Sequence, residues 1–180
     1  MSIGIEYLRV IQERSATLKD QAERTFKQLN EEDFYWTTNE TSNSIAILIQ
    51  HMAGNMISRW TDFLTTDGEK PSRNREAEFI EARLSREELL SVWEKGWAVF
   101  FRALAELTEE DLLKIIRIRG QQHSALDAIE RQMVHYAAHV GQIMFIGKQI
   151  KGDGWKSLSI PKGDSAAYLE KMLKEHQSTN

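Results

Sequence analysis

The sequence contains no cysteine, only two prolines and no long apolar run. Without cysteine there are neither disulfides nor thiolate ligands, so any bound metal must rely on imidazole, carboxylate or water. Pro71 and Pro161 leave most of the 180 residues free of the strongest helix breaker, and long stretches also lack glycine. No apolar run reaches the roughly 20 residues that cross a bilayer. The N-terminus lacks the charged-then-apolar pattern of a signal peptide. An excess of cations is missing too: the formal charge of −4 argues against binding nucleic acid through a basic surface. These absences predict an acidic, mostly helical, cytoplasmic protein, with residues 1–180 forming one domain and with no nucleic-acid or membrane partner.

Four long helical patterns are present. The first runs from about Ile3 to Leu29, with Leu8, Ile11, Ser15, Leu18, Ala22, Phe26 and Leu29 at alternating three- and four-residue steps. Asn43 or Ser44 can cap the second, which continues to about Thr65. Ser85 and Glu88 have capping-box spacing at the start of the third, which runs through Trp93, Trp97, Phe100 and Leu104. "LTEEDLLKIIRIRG" reads as a short helix and a brief extended piece. Ser124 caps the fourth, which ends near "KGDG", and a short amphipathic tail helix follows from about Ser165 to Glu175.

Four such helices predict an all-α four-helix bundle. The segment between the second and third, roughly Thr66 to Leu84, is longer than an ordinary helix–helix turn. Extended, it spans about 60 Å, against about 33 Å for the second helix. It can therefore return along the bundle, giving an up-down-down-up order with one long crossover between helices two and three. The charge-rich "GEKPSRNREAEFIEAR" within it reads as solvated linker.

The chemistry concentrates in "RQMVHYAAHVGQIMFI", where His135 and His139 lie one helical turn apart on one face. Helical rotation places Ala128, Gln132, His135, His139, Gln142, Ile146 and Ile150 on one broad stripe, expected to point inward. Val134, Ala138, Gly141 and Phe145 form a second, flatter stripe. A helix apolar nearly all round is buried on both sides, which suggests a homodimer, or else cover by Tyr168, Leu169, Met172 and Leu173 of the tail helix. On the second helix His51 aligns with Asn55, Ser58 and Asp62, beside an apolar stripe of Ile45, Ile49, Met52, Met56, Trp60 and Phe63. That polar seam looks like one wall of a cleft.

Three imidazoles from two facing helices, His51, His135 and His139, are the ligand set of an open metal site. The alternative is a group of packed, hydrogen-bonded core histidines. His123 lies about 18 Å along the helix axis from His135, and His176 lies in the tail. The pair is not a metalloprotease motif, because Tyr136 stands where H-E-x-x-H needs glutamate. Nor does it match the Glu-x-x-His pattern of di-iron bundles.

"SIAILIQHMAGNMISRW" together with "AIERQMVHYAAHVGQI" resembles the DinB/YfiT-like superfamily of metal-dependent four-helix-bundle proteins. The "IRG" before helix four and "WKSLSIPKG" after it resemble an uncharacterised bacterial branch, and the resemblance covers nearly the whole chain. It implies a bundle with the crossover, often homodimeric, and a divalent metal on His51, His135 and His139. Characterised relatives include transferases and isomerases that use low-molecular-weight thiols such as bacillithiol or mycothiol; others have no demonstrated activity.

The leading functional reading is a metal-dependent, thiol S-transferase-like enzyme acting on a small molecule. A neutral ligand set leaves the metal its full charge, so a thiol bound there would lose its proton near neutral pH. Metal-dependent hydrolysis and a non-enzymatic metal-binding stress or scaffold protein are the alternatives. Tyr136, Arg59 and Asp62 are candidate catalytic groups, and Asn55, Ser58 and Arg59 candidate substrate contacts. Imidazole suits Zn, Ni and Fe alike.

Overall fold

The computed structural model describes residues 2–177, and each of its four long helices opens on a serine. Ser2 precedes α1 (Ile3–Phe26), Ser44 precedes α2 (Ile45–Trp60), Ser85 precedes α3 (Arg86–Glu106) and Ser124 precedes α4 (Ala125–Lys151). Each hydroxyl accepts a backbone N–H of the first turn, worth about 1 kcal/mol per helix. Ser85 and Glu88 complete the expected capping box. A fifth helix, α5, spans Ser165–Gln177.

Two boundaries differ from expectation. Helix α1 ends at Phe26 rather than Leu29, and α2 at Trp60 rather than Thr65. After Trp60 the chain turns extended at Thr61 and left-handed at Asp62, φ 48°. The Asp62 carbonyl then accepts the amides of Thr65 and Thr66, closing a tight local turn instead of a further helical one.

The expected extended piece is half of a hairpin. β1 (Ile115–Ile118) pairs antiparallel with β2 (Gln121–Ser124) across Arg119 and Gly120, both at positive φ. That is the backbone a two-residue primed turn requires. Ile116 and Ile118 bury one face of it.

One apolar core joins residues of α1 to α4 with the buried face of β1. Helix α2 packs chiefly on α3, α1 on α4, and α2 also meets α4. The α2–α3 contact is close because Gly96 has no side chain: a Cβ there would lie 2.8 Å from the Ala53 Cα. Trp60, Trp93, Trp97, Phe100 and Tyr136 form an aromatic cluster at the centre. The apolar stripe expected on α2 is buried in full.

The buried stripe of α4 is rotated from the expected one. It runs through Ala125, Ala128, Ile129, Gln132, Tyr136, Val140, Ile143 and Gly147. His135, His139, Ile146 and Ile150 are only partly buried along its flank, and Gln142 is exposed. Val134 and Phe145 remain 70% and 61% exposed, so the tail helix does not cover them; its own Tyr168, Leu169 and Leu173 are exposed as well. No helix among the described residues is long and apolar enough to cross a membrane.

Candidate metal centre

His51 reaches the site from the middle of α2, and His135 and His139 from successive turns of α4. One ligand atom of each lies within 4.8 Å of those of the other two. The ring centroids are 5.4 Å apart for His51 and His135, 5.0 Å for His51 and His139, and 4.5 Å within the α4 pair. Among the described residues no fourth histidine or carboxylate joins this group.

The outer nitrogens are held in place. His51 Nδ1 lies 3.0 Å from a Glu78 carboxylate oxygen, and His139 Nδ1 lies 3.2 Å from Gln142 Oε1. With Nδ1 donating in each case, Nε2 is left as the acceptor that a ligand needs. His135 Nε2 is buried and has no hydrogen-bond partner. Buried polar atoms in folded proteins are almost always satisfied, so an orphaned ring nitrogen beside two more imidazoles fits a cation.

Burial pushes the His135 pKa down to about 3, reinforced by His139, His51 and the nearby Arg59 and Arg73. Burial also lowers His139, partly opposed by its bond to Gln142. Both rings are therefore neutral at neutral pH, the state a ligand must have. Together with His51 they could hold a divalent ion with an open coordination position.

Glu78 is the part that sequence reasoning missed. The presumed solvated linker instead folds a 3₁₀ turn, Glu76–Phe79, onto α2. Arg73 donates to both Glu78 oxygens, at 2.7 and 2.8 Å, and also to Glu69. Burial works against ionising Glu78, but its bonds to Arg73 and His51 outweigh it and hold the pKa below the usual range. Gly54 makes room, since a Cβ there would lie 2.3 Å from a Glu78 oxygen. Phe79 packs over His51, with centroids 4.7 Å apart. The one local signal was a carboxylate and an aromatic amid charge, which placed neither against His51.

The other candidate residues are dispersed in role. Tyr136 is fully buried, out of reach of a substrate; its hydroxyl donates to Asn55 Oδ1 at 3.1 Å and accepts from Trp60 Nε1 at 2.8 Å. Burial raises its pKa, so it retains its proton. Ser58 donates to the Gly68 carbonyl and accepts the Lys70 amide, stapling the crossover to α2. Asp62 sits exposed in the turn after α2, outside the cleft. Arg59 and Asn55 do line a polar cleft of about 180 Å³ that His51 and His135 also border.

The family described as "Protein of unknown function (DUF1572)" matches residues 2–164. The chain belongs to the DUF1572 family. That match takes in every residue of the candidate centre, including Glu78 and both helices that carry the histidines. No curated protein and no solved structure matches the chain.

Proposed function

We propose that the protein is a metal-dependent enzyme of the DinB/YfiT type, a single-domain up-down-down-up bundle that transfers a small thiol to an electrophile. The observation that carries this reading is the convergence of three imidazoles, with the Nε2 of His135 buried and unpartnered among them. His51, His135 and His139 would hold a divalent ion such as Zn, Ni or Fe. A divalent ion in such a site acidifies a thiol so that it is a thiolate near neutral pH.

The rest of the work falls to the protein. Glu78 fixes the tautomer of His51, Arg73 keeps Glu78 ionised, and Gln142 orients His139. Tyr136 holds its proton and bolts α2 to α4 through Asn55 and Trp60, a positioning role rather than that of a base. The arginines beside the histidines give the cleft a positive field that favours an anionic nucleophile. In the transfer the thiol's proton leaves to solvent, its sulfur forms the new bond, and the leaving group departs with its electron pair. The exposed Val134 and Phe145 suit a homodimer through the outer face of α4.

The test is a thiol-conjugation assay on metal-loaded, chelated and His135→Ala protein. Activity that disappears on chelation while the fold persists supports the reading. Hydrolysis without thiol consumption would assign the site to hydrolytic chemistry. A chelated protein that unfolds outright would make the ion structural.

A further inference from the structure

Four separate parts of the chain deliver guanidinium groups to the cleft beside the histidines. Arg59 comes from α2, Arg73 and Arg75 from the crossover, Arg119 from the hairpin turn and Arg131 from α4. Among the described residues no carboxylate lines it. The placement of Arg119 is built in: Asp67 of the crossover accepts the amides of Arg119 and Gly120, both at 2.8 Å, and the Gly68 amide donates to the Arg117 carbonyl.

Among the described residues, three carboxylates form ion pairs with these five cations. Glu78 and Glu69 hold Arg73, Glu69 also meets Arg119, and Glu76 lies 3.6 Å from Arg75. Arg131 makes only a long contact, 3.5 Å, to His123. Arg59 is the outlier. It is 97% buried, since only 3% of its surface is exposed, and its Nε and Nη1 have no hydrogen-bond partner. Gly68 packs directly on that group: a Cβ there would lie 2.6 Å from Nη1. Glu69 and Asp67 lie in its field, but a buried guanidinium with unmade hydrogen bonds is costly unless a ligand completes it. Gln132, also buried, lines the same cleft and carries an unpartnered Oε1, and a half-turn of its amide exchanges that acceptor for a donor.

We infer that this cleft is an oxyanion site, taking a carboxylate or phosphate group of the substrate on Arg59, with Arg119 and Arg131 at its rim. Guanidinium forks match both oxyanions in geometry as well as charge. The cleft is smaller than the roughly 300 Å³ of a drug-sized pocket, so it receives one charged end of a molecule. Because His51 and His135 share its wall, the reactive end would lie over the imidazoles. As a statement about substrate class this rests on the proposed function; as a statement about anion binding it does not.

The test uses the full chain, metal-free, at low ionic strength, with inorganic phosphate and succinate as separate probes in thermal melts and calorimetric titrations. An anion at ten times its dissociation constant should raise Tm by about 4 °C. Arg59→Met should melt no lower than wild type without anion and should lose the response to it. Arg131→Met, a surface change, should weaken binding about two- to fivefold, and it decides the matter if Arg59→Met does not fold. A response to only one probe identifies which oxyanion the cleft takes and still supports the site. No response in wild type, an equal response in Arg59→Met, or unchanged affinity in Arg131→Met overturns it. Zinc titration of the same samples separates the two readings. Binding of either anion without zinc binding keeps the anion site and removes the metal centre, and zinc binding without a response to either anion does the reverse.

Discussion

Replacing Glu78 by glutamine changes one atom type, and the hydrogen-bond inventory sets the consequence. The carboxylate accepts from His51 Nδ1 at 3.0 Å and twice from Arg73, at 2.7 and 2.8 Å. A glutamine amide has one accepting oxygen and one donating nitrogen. If the oxygen faces His51, the NH₂ opposes the Arg73 guanidinium, donor against donor. If the NH₂ faces His51, Nδ1 must accept, which moves the ring proton to Nε2 and blocks that nitrogen as a ligand. Either way metal affinity should fall about 10–100-fold, or roughly 1.4–2.7 kcal/mol. Stability should also drop. A severed buried ion pair costs about 3–5 kcal/mol, but Glu69 still lies 3.3 Å from Arg73, so about 2 kcal/mol is expected. Zinc competition against a chromophoric chelator reads the first effect, and urea unfolding of metal-free protein reads the second. A Glu78→Gln protein that is less stable yet binds zinc within threefold of wild type would refute the assignment of Glu78 as the orienting partner of His51.

Gly54→Ala should disturb the same carboxylate from the other side, because its Cβ would lie 2.3 Å from Glu78 Oε1. Zinc affinity should fall about threefold to tenfold while helical content holds, since alanine favours a helix by about 1 kcal/mol over glycine; the same competition assay checks it. His135→Ala should abolish zinc binding in calorimetry and keep most of the far-ultraviolet helical signal, because the apolar core rather than an ion dominates packing. Acid should weaken the metal-free protein. His135 is held at about 3 by burial, against about 6.5 when unfolded, so the unfolded state binds more protons between those values. Its contribution to stability is therefore complete above pH 6.5 and declines as pH falls toward 3. Urea midpoints at pH 7 and pH 5 measure it, and equal midpoints would contradict the burial of a neutral ring.

What was legible in the sequence was local. The serine caps, the Ser85–Glu88 box and the three- and four-residue apolar spacing place the long helices to within a few residues, because caps and periodicity act within one turn. The meeting of His51 with the α4 pair followed from faces on two helices. Placements that depend on irregular segments were not legible. Glu78 reaches His51 only because Ser58, Gly54 and Arg73 fold the crossover back onto α2, and no periodic signal encodes that path. The rotation of α4 was missed because Tyr136 reads as a polar-edged residue, yet Asn55 and Trp60 satisfy its hydroxyl in the core. The polar strand "QQHS" gave no alternation to announce β2, although Arg119 and Gly120 turn the chain into it.

The most direct test of the metal centre is X-ray absorption on protein loaded with one equivalent of zinc, paired with His51→Ala, His135→Ala and His139→Ala. Three imidazole nitrogens and one further light atom at about 2.0–2.1 Å are expected, with stoichiometric binding lost in each variant. Fewer than three imidazoles around the ion, or one-equivalent binding that survives in any of the three variants, would contradict a centre built on His51, His135 and His139.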